Sequence, residues 1–198
     1  MLKLEEYKVI FTTVGLVGIL IFASPILSSV LKLPGGERFS ELWILGPDRM
    51  AEDYPFNVRA GEDYLVYIGI GNHMGSPTYY AVYVKFRNQS EPLPNSTVRK
   101  PSPLPALYEF HVFLLDGEIW EAPLTFSFTS VSISANRSLV ETLRLNNVTF
   151  AVEKAAFWND EDRGYYYQMF FELWIYDANL EEFQFHNRFV GIWLNMTA

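Results

Sequence analysis

Three histidines, one run of acids and one glycine-rich stretch are the parts of this sequence whose residue types suit catalysis or ligand binding. His73, His111 and His186 stand far apart. None falls in an H-x-H, H-x-x-H or H-E-x-x-H arrangement that would offer two imidazoles to one metal ion from a single element. Asp160, Glu161 and Asp162, in "NDEDRGYYY" at 159–167, are oxygen donors of the kind calcium takes. The alternating D-x-D-x-[DN]-G loop is missing, so they read as a solvated acidic turn. "GIGNHMG" at 69–75 shares glycines with a dinucleotide loop. That loop requires a helix after the turn, whereas here Pro77 and a second strand follow, which makes a hairpin. There is no G-x-S-x-G nucleophile elbow, and no cysteine to serve as nucleophile, thiolate ligand or disulfide. The expectation is a protein that is not an enzyme and carries no metal or cofactor.

Residues suited to contact are more plentiful. The chain has five Trp, 12 Tyr and 16 Phe. Trp and Tyr join a large apolar face to a hydrogen-bond donor and are enriched where proteins meet. Trp158, beside the acidic run, and His73, in the expected hairpin loop, are the candidate interface residues. Five N-x-[ST] sequons begin at Asn88, Asn95, Asn136, Asn147 and Asn195. With 11 Asn in the chain, chance supplies about one. Five together imply N-glycans, and hence a domain outside the cytoplasm.

"VIFTTVGLVGILIFASPILSSVL" at 9–31 holds no charged residue. As a helix it reaches about 34 Å, against a hydrocarbon core of about 30 Å. A cleaved leader has a shorter apolar stretch and a small-x-small cut site, whereas the cut beside Ser24 would meet Pro25. The run is expected to be a retained membrane anchor. Residues 1–8 then form a cytoplasmic tail, 9–31 a single transmembrane helix, 32–38 a short linker, and 39–198 the extracytoplasmic domain. Thr12, Gly15 and Gly18 put small residues on one side of the helix, where another membrane helix can approach.

From Arg38 onward there are 12 Lys and Arg against 20 Asp and Glu. That balance excludes nucleic acid, whose phosphates need a cationic footprint. The patterning is β throughout. Strands are expected at 64–72 and 78–88, joined by the hairpin "HMGSP". Two more flank Asp116-Gly117, the strongest hairpin signal in the chain. The Pro-rich stretch 90–105 is a surface loop. "SLVETLRL" at 138–145 fits a short helix as well as a strand. Eight or nine strands at this spacing give an all-β fold: a single N-terminal transmembrane helix followed by one antiparallel, immunoglobulin-like β-sandwich.

The stretch "GERFSELWILGP", followed by "YPFNVRAGEDYLVYIGIGNHMGSPTYYAVYV", resembles a family of archaeal membrane proteins whose shared domain has no assigned function. The resemblance runs from about Arg38 to Gln89. Met74 departs from it, standing where an acidic residue is usual, and so does the single membrane helix. The resemblance implies an archaeal envelope location and an extracytoplasmic β domain, and it implies no reaction. The expected function is that of a non-enzymatic subunit or docking module, single-pass in the cell membrane with the N-terminus inside. Its expected partners are other membrane or surface-layer proteins. The second expectation is a cell-surface carbohydrate-binding module, which would gather exposed aromatics on one sheet face.

Overall fold

The structure is a computed structural model that describes residues 4–30 and 37–197, with helix side chains described at 7–19 and 21. Residues 1–3 of the expected tail, Leu31 and most of the expected linker 32–38 lie outside the described residues. The chain divides into two compact units, 1–38 and 39–198.

The first unit is helix α1, Leu4–Val30. Its apolar side chains point to every side: Val9, Phe11, Val14, Leu16, Ile19 and Ile21 are all exposed. Thr12 and Thr13 donate their hydroxyls back to the carbonyls of Lys8 and Val9, at 2.7 and 2.8 Å. Two polar groups are thereby satisfied inside the helix. Among the described residues no helix is long and apolar enough to cross a membrane.

The second unit is a sandwich of two five-stranded sheets. In chain order the strands are β1 Phe39–Leu45, β2 Asn57–Arg59, β3 Tyr64–His73, β4 Thr78–Asn88, β5 Tyr108–Leu114, β6 Ile119–Ser134, β7 Arg137–Leu145, β8 Val148–Phe157, β9 Tyr165–Asp177 and β10 Glu182–Thr197. The first sheet runs β1-β3-β6-β7-β8 and the second β2-β10-β9-β4-β5. The leading segment is shared: β1 lies antiparallel to β3 in one sheet, and β2 lies parallel to β10 in the other. Two packed sheets that share the leading segment make the sandwich immunoglobulin-like in architecture, while the strand order is its own: β6 lies beside β3, and β8, which precedes β9, forms the edge. Between the sheets, Val66, Ile68 and Ile70 of β3 meet Val82, Val84 and Phe86 of β4, with Leu124, Phe126, Tyr167, Met169 and Phe171 around them. Alternate positions of each strand supply this core, as a period of two requires.

Two expected hairpins are something else. β3 and β4 lie in different sheets, and so do β5 and β6. "HMGSP" and Asp116-Gly117 are therefore arches that carry the chain from one sheet to the other. Gly117 has φ of +81°, as the turn chemistry requires. Such chemistry dictates a reversal and leaves open whether the flanking strands pair. "SLVETLRL" is strand, not helix. Buried Val140 and Leu143 stand three apart, a helical spacing. A bulge at Glu141, where the register with β8 shifts between Val140 and Thr142, turns both inward. β6 runs on for 16 residues, with register shifts between Phe128 and Val131. Pro123 is tolerated there because β7 pairs with β6 only from Phe126 onward, which leaves that side of Pro123 at an edge.

Candidate functional site

The two arches sit together, and Asn72 binds them. Its side chain is fully buried. Nδ2 lies 3.0 Å from the carbonyls of Ser76 and Leu114 and 3.1 Å from that of Leu115. Oδ1 accepts from the Met74 amide and from the Tyr80 hydroxyl, each at 3.0 Å. With its proton committed there, Tyr80 accepts from Ser40 of β1 at 2.7 Å. Burial raises the pKa of Tyr80, which keeps that proton in place. The Asn72 backbone adds bonds to Glu118 and Gly117. Arch carbonyls have no ladder partner, so a buried side-chain amide takes that role.

The glycines of "GIGN" serve packing. Trp43, Gly69 and Glu121 are cross-strand neighbours on β1, β3 and β6. The Trp43 indole lies across Gly69, where a Cβ would overlap it, and Nε1 donates to Glu121 at 3.2 Å. Gly71 is covered in the same way by Glu41. A side-chain-free row on β3 lets β1 lie flat over its neighbour.

The outer face of the β2-β10-β9-β4-β5 sheet has two halves. Over one half the Pro-rich loop 89–107 is strapped down by buried charge. Lys85 Nζ lies 2.9 Å from Glu172 and 2.8 Å from the Ser102 carbonyl, and Glu172 accepts from the Ser102 amide at 2.8 Å and from the Trp174 indole at 3.1 Å. Arg87 holds Gln168 and the Glu91 carbonyl and stacks on Trp193. The other half, toward the arches, is aromatic. Phe183 packs against Tyr79, His111 and Tyr176 with ring centres 5.2–5.3 Å apart, and Trp174 packs against Tyr83 and Phe185.

A separate apolar cleft of about 660 Å³ opens beside β1 and β10. Trp43, Ile44, Tyr54, Phe56, Ile192 and Trp193 are among its lining residues. β2 covers only 195–197 of the adjoining edge of β10, and among the described residues no strand pairs with the rest. An apolar cleft beside a free strand edge suits an extended apolar segment, which gains ladder hydrogen bonds and side-chain burial together.

The residues singled out from the sequence fall in different places. His73 stacks on Phe39 at 4.7 Å, and its Nε2 lies 3.4 Å from Glu41. Trp158 is 39% exposed and packs edge-on to Tyr165. The two candidate interface residues are not brought together: His73 is at the arch end, Trp158 beyond the other end of the strands. Of the five sequons, Asn95, Asn136 and Asn147 are exposed. Asn88 gives its Nδ2 to the Ala155 carbonyl at 2.9 Å. Asn195 is buried, accepts from Tyr165 and gives its Nδ2 to Asn57. On both, the nitrogen that would carry a glycan is already engaged in the fold. Asp160, Glu161 and Asp162 form a turn on Asn159, whose Oδ1 accepts the amides of Glu161 and Asp162. Among the described residues no three acids or histidines gather as a metal would need. Gly15 has open space around it, as does Gly18, and Thr12 keeps its hydroxyl to itself.

The fold and these surfaces define an all-β sandwich of immunoglobulin-like architecture that carries an aromatic face and an apolar cleft. The chain belongs to the family described as a domain of unknown function (DUF1616), which matches residues 33–139. The match extends well past Gln89, to the third residue of β7, and β8 to β10 lie beyond it. No curated protein matches in sequence. Among solved structures, the CARDB domain of a Pyrococcus furiosus protein, in complex with di-metal ions, is similar at 10% identity and a TM-score of 0.42, over 84% of this chain and 94% of that one. A β-glucosidase from Listeria innocua is similar at 12% identity and a TM-score of 0.42, over 80% of this chain and 16% of that one.

Proposed function

We propose that this chain is a non-enzymatic, membrane-anchored module of an archaeal envelope. In this reading its sandwich lies outside the cytoplasm, and it serves as a subunit or docking piece for another membrane or surface-layer protein. The observation that carries the reading is the run without charge from Val9 to Leu31 in the sequence, whose described side chains in α1 expose apolar groups on every side. A helix apolar all round belongs in a protein core or a bilayer. The full run has the length to span, and both threonines satisfy their hydroxyls internally, as lipid demands. The three exposed sequons support a sandwich on the glycosylated side. Thr12, Gly15 and Gly18 then face a second membrane helix, and the cleft beside β10 takes an extended apolar segment of the partner. The family resemblance supports the archaeal envelope.

Intact mass and peptide mapping of the protein extracted in detergent from its native membrane test this. The expected result is a peptide starting at Met1, with glycan on Asn95, Asn136 or Asn147 and none on Asn88 or Asn195. A mature start at or after Pro25, with every sequon bare, would overturn it.

Carbohydrate binding is the second reading, because aromatic side chains do gather on one sheet face. Sugars stack on free, flat rings. Here the rings around Phe183 are tilted by 55–67° and spend their faces on one another. That arrangement favours protein or lipid contact over a sugar platform.

A further inference from the structure

We infer that the end of the sandwich carrying the two arches is a lipid-facing surface, seated in the headgroup layer of the membrane. This rests on the anchor reading of α1.

Three observations converge. The first is where the chain enters. Phe39 pairs with His73, so β1 begins beside the arch that follows β3. The same end carries the second arch, Leu115 to Glu118, and the β9–β10 hairpin, because Tyr79 of β4 pairs with Phe113 while its neighbour Tyr80 pairs with Ile175 near the end of β9. Eight residues separate Val30 from Phe39, a tether of at most about 28 Å fully extended. A tether so short holds whichever end it joins at high effective concentration against the bilayer.

The second observation is what this end exposes. Ile119 is 62% exposed, Phe113 60%, Leu180 59% and Leu115 51%. Leu115 and Ile119 flank the Asp116-Gly117 turn, Leu180 lies in the β9–β10 hairpin, and Phe113 stands next to the aromatic face. Apolar side chains at successive turn tips are unusual, because turns meet water. Turned toward a bilayer, they reach the acyl boundary while the turn backbones stay among the headgroups.

The third is the aromatic collar behind the tips. Tyr79, Tyr176, His111 and Phe183 pack into one cluster on the outer face just inside this end. Tyr at headgroup depth places its ring in the apolar zone and its hydroxyl in the wet one. Charge defines the lipid further. Asp116, Glu118, Asp177, Glu181 and Glu182 lie on the same turns, so the contact is apolar and not electrostatic. Uncharged headgroups suit it, and anionic lipid weakens it.

The chain contains no cysteine, so single reporters can be placed on the full-length protein. Leu115→Cys, Leu180→Cys, Asn136→Cys on the far-end β6–β7 turn, and Leu16→Cys in α1 would each carry a polarity-sensitive fluorophore in phosphatidylcholine vesicles. All four replace exposed side chains. The expected result is that a quencher on the lipid headgroup dims positions 115 and 180, a soluble quencher dims 136, and only a quencher within the acyl region dims 16. Adding phosphatidylserine should then lower the lipid quenching at 115 and 180. If 115 and 180 answer to the soluble quencher while 16 stays in lipid, the inference falls and the anchor stands. If 115 and 180 are shielded from both quenchers, a protein covers this end and the inference falls. If 16 answers to the soluble quencher, the anchor reading fails and takes the inference with it.

Discussion

Asn72 shows how one residue decides the form of the molecule. Its amide reaches three carbonyls and its oxygen two donors, all within the arch end. Asn72→Ala strands those groups in a dry site, where an unsatisfied buried polar group costs about 1–3 kcal/mol. We expect a loss of about 3 kcal/mol in urea unfolding of the full chain in detergent, since some orphaned carbonyls regain water. A loss under about 1 kcal/mol would mean that water replaces the amide without penalty. His186 gives the pH dependence. Burial first, and the neighbouring Arg188 second, lower its pKa below 6.5. A lowered folded-state pKa means the unfolded chain binds the proton more tightly. The stability this contributes is complete above pH 6.5 and is lost as pH falls toward the folded value. The urea midpoint should therefore drop on acidification below 6.5, and less steeply in His186→Gln. Equal slopes in the two proteins would contradict this. The sequence marked His73 as the histidine to watch and passed over Asn72 beside it. An asparagine in a turn-rich stretch reads as turn chemistry, and its burial depends on two arches meeting from distant parts of the chain.

Elements were legible where local pattern decides them. β4 occupies 78–88 and β3 ends one residue past its expected limit of 72, because alternating aromatic and β-branched residues between turn signals leave little choice. What the pattern did not reveal was pairing. The arches look like hairpins because the residues that reverse the chain are the same in each. The bulge at Glu141 imitates helical spacing for an equally local reason. Loop 89–107 was legible as a loop, while its strap was not, since Lys85 and Glu172 are 87 residues apart. Removing one partner of a buried ion pair leaves an uncompensated charge, at a cost of about 3–5 kcal/mol. Lys85→Met is thus expected to lower stability by about that amount and to speed tryptic cleavage after Arg99. The double variant Lys85→Met, Glu172→Leu should recover most of the stability. If the double variant is as unstable as the single ones, the pair is not what holds the strap.

At the scale of the whole molecule, a short stretch of chain connects an apolar helix to a sandwich whose arch end presents apolar turns. The acidic balance, the five sequons and the uncharged run were plain in the sequence, and the proposal of an anchored domain on the outer side rests on the last two. Which asparagines remain available, where the apolar cleft opens and which end is proposed to meet lipid required the fold, because each depends on strands distant in sequence coming together. The measurement that tests the central claim most directly is proteolysis of intact cells, followed by a search for the N-terminal fragment in washed membranes. The expected result is removal of the sandwich from outside, leaving a membrane-embedded fragment that begins at Met1 and ends before Phe39. A sandwich that stays intact in whole cells and is digested only after lysis, or a fragment that washes off the membrane, would contradict it.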